Sequence, residues 1–192
     1  ENTEGSIIKK IFKMRTILVT GGSGFIGSHT CISLLSSGYK IIMIDSFANS
    51  SVKILEKIRS IVSKINLEYL KNINLIECDI RNYKKLDKIF KELQISATPI
   101  EGVIHFAGLK AVRESIKSPI KYWDNNVAGS ISLLKVMQKY GCKTILFSSS
   151  ASVYGNCNQQ LIGENSKINP TNPYAFTKSV VENFLRNVFE SD

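Results

Sequence analysis

Tyr174 and Lys178 stand four residues apart in Asn172-Pro173-Tyr174-Ala175-Phe176-Thr177-Lys178. Residues at i and i+4 share one face of a helix. A phenol ordinarily titrates near ~10, and a cation held beside a phenol favours its ionised form, which makes a base usable near neutral pH. Far upstream, Thr20-Gly21-Gly22-Ser23-Gly24-Phe25-Ile26-Gly27 sets glycines at 21, 24 and 27. Glycines so spaced permit a tight turn, close approach of a pyrophosphate to the backbone, and close helix–strand packing. The helix that follows turns free N–H groups and a favourable dipole toward the phosphates. A base facing a bound nicotinamide is equipment for hydride chemistry on an alcohol. Either motif alone is common by chance, so the weight lies on their joint context.

Further candidates fall at strand ends. Asp45 closes the second strand-like run, where it can accept bonds from ribose hydroxyls and would repel a 2′-phosphate. No arginine follows it closely, so NAD is expected rather than NADP. A strand-terminal Asp that merely caps the next turn would have the same placement, and that reading stays open. Asp79-Ile80 repeats the pattern after the third strand, suited to an adenine. Phe106-Ala107-Gly108 follows the fourth strand with small residues that let backbone lie near a cofactor. Phe147-Ser148-Ser149-Ser150 follows the fifth and puts hydroxyls at the carboxyl edge of the sheet, where ligands bind in this architecture.

The elements that must carry these groups alternate along the chain. Thr16–Val19, Lys40–Ile44, Ile73–Cys78, Val103–Phe106 and Thr144–Phe147 read as strands, with helix-period segments between them. The first helix runs from about Phe25 to Ser37, with Gly38 as its stop. Ile54, Leu55, Ile58, Ile61, Val62 and Ile65 form one helical stripe, and Asn82 caps a third helix. A single long helix is predicted from about Pro119 to Tyr140. Asn172 caps the last helix with Pro173 at its first position, and Phe176, Val180, Phe184 and Val188 keep a four-residue beat. The pattern is α/β, a Rossmann-like doubly wound parallel sheet. Residues 14–192 are read as that dinucleotide-binding domain, truncated before a substrate-binding part because no sixth strand follows the last helix. Residues 1–13, ahead of Met14, are read as an extension or tag remnant.

Composition narrows the classes. The 192 residues are 43% hydrophobic, enough for one core. No apolar run nears the ~18 residues that span a bilayer, so no membrane association is expected. The net charge of +9 comes from lysines scattered without interleaved aromatics, which argues against nucleic acid. Cys31, Cys78, Cys142 and Cys157 form no C-x-x-C pair. Buried free thiols in a reducing, cytoplasmic compartment are expected. His29 and His105 have no accompanying carboxylate cluster, so no metal is expected.

Together these motifs resemble the extended short-chain dehydrogenase/reductase family, most closely its UDP-glucose 4-epimerase (UDP-galactose 4-epimerase) branch, from about Arg15 onward. The specific pieces are Val19–His29 (VTGGSGFIGSH), His105–Val112 (HFAGLKAV), Asp124–Val127 (DNNV), Phe147–Gly155 (FSSSASVYG) and Asn172–Lys178 (NPYAFTK). HFAGLKAV discriminates the branch. The resemblance implies that Phe25 and Ile26 lie under the pyrophosphate, Asp45 and Asn49 hold the adenosine ribose, and Asp79 and Ile80 hold the adenine. It implies that Phe106, Ala107, Gly108 and Lys110 line the middle of an NAD site with Asn125 nearby. Ser150, Tyr174 and Lys110 would meet a UDP-sugar, and Lys178 would bridge the nicotinamide ribose. The implied activity is an isomerase that inverts the sugar 4-hydroxyl by transient oxidation, in a homodimer packed through the two long helices. A 4,6-dehydratase is disfavoured, since Ala151 and Ser152 stand where that group carries an acid pair. A related nucleotide-sugar epimerase or decarboxylase, and a non-catalytic NAD-binding regulator, are the alternatives.

Overall fold

The computed structural model describes residues 14–156 and 161–191. The reading of residues 1–13 and that of Cys157 lie outside the described residues. Strands β1 (Thr16–Thr20), β2 (Lys40–Asp45), β3 (Ile73–Glu77), β4 (Ile100–His105) and β5 (Ile145–Phe147) form one parallel sheet, in the order β3-β2-β1-β4-β5. This is the Rossmann-like doubly wound sheet. Its strand order reverses between β1 and β4, where a crevice opens beyond the carboxyl ends.

The helices are α1 (Phe25–Ser36), α2 (Ile54–Ser63), α3 (Tyr83–Ile95), α4 (Val112–Lys117), α5 (Pro119–Tyr122), α6 (Gly129–Lys139) and α7 (Pro173–Ser191). Successive strand residues face opposite layers, so the central runs are apolar on both sides. Val19, Ile41 and Met43 pack on Cys31 and Leu35 of α1 and Ile58 and Val62 of α2. Leu18, Ile42, Ile44 and Val103 pack on Leu86, Ile89 and Phe90 of α3 and Leu133, Val136 and Met137 of α6. Each fully buried aliphatic side chain contributes roughly 1.5–3 kcal/mol by leaving water. The sheet edge that bears the candidate site is therefore rigidly backed on both faces.

Local signals behave as their chemistry dictates. The Asn82 side chain accepts from Lys85 N–H at 3.0 Å, and that of Asn172 from Ala175 N–H at 2.9 Å, so both expected caps form. Helix α1 ends with Gly38 at φ +83° and α6 with Gly141 at φ +68°.

Other expectations need correction. The expected helix from Pro119 to Tyr140 changes winding at Trp123–Ala128, a π-turn between α5 and α6. A short helix, α4, precedes it unforeseen. Helix α2 ends at Ser63, short of Ile65, and Ile61 and Ile65 are 46% and 56% exposed, so only part of the apolar stripe is core. On α7, whose beat the sequence assigned to no face, none of Phe176, Val180, Phe184 and Val188 is fully buried. Tyr174, Ala175, Thr177, Lys178, Ser179 and Val181 are buried, while Phe176 and Val188 are exposed. The polar face turns inward because its hydrogen-bond partners lie there. Cys31, Cys78 and Cys142 are free and buried. Among the described residues no helix is long and apolar enough to cross a membrane.

Candidate active site

At the switch point the chain leaves β1 at Thr20 and turns through Gly21, at φ +65°, before starting α1. Gly21 and Gly22 N–H bond to Ile44 O at 2.8 and 3.3 Å, which pins the turn to the end of β2. A Cβ on Gly21 would stand 2.7 Å from Ala107 N, and one on Gly27 would collide with Gly21 O. The α1 N-terminus has no side-chain cap and no acidic residue in its first turn. A cradle with no room for side chains, ending in an uncompensated helix dipole, fits a diphosphate.

An open cleft runs from this turn across the sheet edge. Gly21, Gly24, Phe25, Gly27, Asp45, Asn49, Asp79, Ile80, Phe106, Ala107, Gly108, Lys110 and Asn125 all line it. Of the expected cofactor residues, Ile26, Tyr174 and Lys178 are outside this lining. The Ile26 side chain is 59% exposed, as its place on the outer face of α1 requires. Cys78 also lines the cleft. The strand pattern marked it as core but gave no sign of that wall. Burial pushes its thiol up to about 11, so it is inert.

Asp45 caps the turn that follows β2. Its carboxylate accepts Ser23 N–H at 3.0 Å, Phe47 N–H at 3.0 Å and the Ser50 hydroxyl at 2.8 Å. A carboxylate has about four acceptor positions, so one stays open on the cleft side. Asp79 is more committed than the sequence suggested. Arg81 donates to it through Nη2 at 2.6 Å and joins it to Asp124 through Nη1 at 2.5 Å. Those bonds hold the Asp79 carboxyl below the usual carboxylate range. Arg81 thus staples the β3–α3 loop to the π-turn that carries Asn125.

The second half of the site hangs on α7. Tyr174 and Lys178 are 9% and 6% exposed on its inward face. Lys178 Nζ donates to Ser148 O at 2.8 Å, just beyond β5. It would be 3.8 Å from a Cβ on Gly108, so it ends beside the cleft wall. Burial pushes Lys178 down to about 8, partly offset by Glu182. Ser150 opens a 3-10 turn, Ala151–Tyr154, and its hydroxyl is 2.9 Å from that of Ser152. The structure therefore brings the Tyr–Lys face, the serine loop and the glycine turn to one edge of the sheet.

Asn126 ties these parts together, although the sequence singled out its neighbour Asn125. The Asn126 side chain accepts Leu109 N–H at 2.8 Å and donates to Leu109 O and Thr177 Oγ1 at 3.0 Å each. It locks the cofactor loop, the π-turn and α7 to one another. Its adjacency to Asn125 in the quoted DNNV was the only available hint. His105 serves beneath it. Ala107 N–H donates to Thr20 Oγ1 at 3.2 Å, and Thr20 in turn lies 2.6 Å from His105 Nδ1. The other ring nitrogen is 2.9 Å from Ser130 Oγ, which donates to Asn126 O at 2.5 Å. Burial, with repulsion from Lys178, pushes His105 down to about 3, so the ring is neutral.

This geometry has close counterparts. Residues 18–192 match the family model described as GDP-mannose 4,6 dehydratase. The chain belongs to that family. It is 44% identical over 176 residues to UDP-glucose 4-epimerase of Bacillus subtilis (strain 168), covering 92% of this chain and 48% of that protein. It is 43% identical over 178 residues to UDP-glucose 4-epimerase 4 of Oryza sativa subsp. japonica, covering 93% of this chain and 46% of the relative. The solved UDP-glucose 4-epimerase of Bifidobacterium longum, in complex with NAD+ and UDP, superimposes with a TM-score of 0.83 at 43% identity. That match covers 92% of this chain and 50% of the solved one. Within the family, the chain is thus similar to epimerases and spans about half the length of these relatives.

Proposed function

We propose that this chain is the NAD-binding, base-carrying part of a UDP-glucose 4-epimerase, an isomerase that interconverts UDP-glucose and UDP-galactose. The observation that carries the reading is the meeting of the Tyr174–Lys178 face of α7 with the glycine-walled cleft, Lys178 Nζ standing beside Gly108. The cleft fits NAD by its clash-limited glycines and the open side of Asp45. Gly21, Gly24, Phe25, Ile26 and Gly27 would hold the pyrophosphate, Asp45 and Asn49 the adenosine ribose, and Asp79 with Ile80 the adenine. Phe106, Ala107, Gly108, Lys110 and Asn125 would wall the middle, and Tyr174 with Lys178 the nicotinamide end. When bound, NAD supplies a reversible hydride acceptor.

The chain's own groups supply the proton chemistry. Tyr174 takes the proton of the sugar 4-hydroxyl, with the Lys178 ammonium on the same face of α7, and returns it after the sugar has turned over. Ser150 hydrogen-bonds the same oxygen. Lys110, which also lines the cleft, would meet the substrate. Because the hydride that bound NAD would accept is given back together with the proton, the product is the C4 epimer with no net oxidation.

The family description names a dehydratase, which makes that activity the second reading. Elimination needs an acid pair after the active-site hydroxyl, and Ala151 and Ser152 cannot move protons in that way. A non-catalytic NAD-binding regulator would be expected to lose the pair at 174 and 178, and both residues are present. The outward face of α7, with Phe176 and Val188 exposed, supports a homodimer, and three buried free thiols support a cytoplasmic setting. No nucleic-acid partner is proposed.

The reading is tested in two steps. Calorimetric titration of the 192-residue chain with NAD should show saturable binding, weaker for NADP. The protein at the length of its relatives should convert UDP-galactose to UDP-glucose, and NAD binding without any product would favour the regulator.

A further inference from the structure

We propose that the ring face of Phe147 is a positioning group for the Lys178 ammonium, which it holds at the end of the cleft by a cation–π contact. The inference rests on the reading of Lys178 as the cation paired with Tyr174. Phe147 is the last residue of β5, and Lys178 Nζ lies over its ring at 4.6 Å from the centroid. Contacts within about 6 Å are attractive, and more so where water is excluded. Lys178 is 6% exposed, so little water can solvate its charge. Among the described residues, Lys178 makes no ion pair. The Ser148 carbonyl at 2.8 Å and the phenyl face are what replace its hydration shell. With those two contacts in place, the Nζ stands 3.8 Å from where a Cβ on Gly108 would lie, beside the cleft wall.

The ring is itself braced. His105 lies against Phe147 at 5.6 Å between centroids, tilted by 38°. Its two nitrogens are fixed by Thr20 and Ser130, so the imidazole cannot swing away and let the phenyl follow. The groups that act on Lys178 can be named element by element. Glu182, one turn further along α7, favours the charged form. His105 on β4 is neutral, and Tyr174 is the phenol on the same face of α7. Burial leaves Lys178 titrating near 8, where a modest loss of attraction is measurable.

The test replaces Phe147 in turn by 4-fluoro-, 3,5-difluoro- and 3,4,5-trifluorophenylalanine, which keep the ring's shape while draining its face of electron density. The Lys178 side chain is followed by NMR as pH is raised. Weakening the ring lowers the proton affinity of the amine, so the midpoint should fall stepwise, by roughly 0.5 to 1 unit across the series. Phe147→Leu, which keeps an apolar side chain but has no π face, should fall at least as far. A midpoint that stays put through the fluorinated series overturns the proposal, since a purely steric role predicts no change. NAD affinity is measured on the unmodified chain separately. Its absence would remove the cofactor reading, while the titration still decides the role of Phe147.

Discussion

At the residue scale the site rests on buried polar side chains, of which Asp45, His105, Asn126 and Lys178 are held by hydrogen bonds. Tyr174→Phe removes the proposed base and leaves the ring that packs on the inward face of α7. Turnover of UDP-galactose by the protein at the length of its relatives should drop by about 10²–10⁴-fold, with NAD affinity and melting temperature nearly unchanged. A variant that kept most of its rate would remove Tyr174 from the mechanism. His105 allows a pH prediction. It titrates near 3 when folded and near 6.5 in its ordinary state, so the unfolded chain binds the extra proton between those values. Stability from this group is present above about pH 6.5 and is lost as pH falls, at up to roughly 1.4 kcal/mol per unit. Denaturant unfolding at about pH 6, 5 and 4 should show that slope. His105→Gln should be less stable at neutral pH but flatter toward acid.

At the element scale, the ends of helices and the π-turn decide where side chains go. Helix α3 closes as α1 and α6 do, with Ala97 N–H on Gln94 O at 3.2 Å and Thr98 N–H on Leu93 O at 3.0 Å. Here the left-handed position holds alanine, at φ +56°. A left-handed alanine costs about 1 kcal/mol that glycine avoids. Ala97→Gly should therefore raise stability by up to about 1 kcal/mol in urea unfolding, less what glycine gains in the unfolded chain. The π-turn is the opposite case, an irregularity kept for what it places. Asn126→Ala would strand the Leu109 N–H and C=O in a partly buried loop, at roughly 1–3 kcal/mol. It should also weaken NAD binding several-fold, because the same loop carries Gly108 and Lys110. Unchanged affinity would show that the loop holds itself.

At the scale of the whole molecule, a doubly wound sheet backed by two cores gives a fixed edge, and the proposed cofactor bridges both halves of it. Ligand bound only by the folded chain stabilises it by mass action, about 2.7 kcal/mol at a hundredfold excess over Kd. Adding NAD should raise the melting temperature of this chain, and no shift at saturating NAD would contradict the cofactor assignment. The apolar beat on α7 belongs to this scale as well. Light scattering should find a dimer for the protein at the length of its relatives, and Phe176→Glu should shift it toward monomer.

Strand positions, the doubly wound class, the glycine turn, Asp45 and the caps at Asn82 and Asn172 were all legible in the order of residues. Each depends on local sterics or on a periodic pattern, and those are properties of short stretches. What lay beyond reach depended on who meets whom. Periodicity showed the beat of Phe176 and Val188 but not which face would be buried, and the partners of Thr177 and Lys178, Asn126 and the Ser148 carbonyl, drew the polar face inward. The Asn126 clasp, the His105 link and the bond from Arg81 to Asp124 join segments tens of residues apart. Hydrogen bonds of that reach exist only once the fold has closed. Motif spacing determined which chemistry the chain could carry, and three-dimensional packing decided which neighbours would aim it.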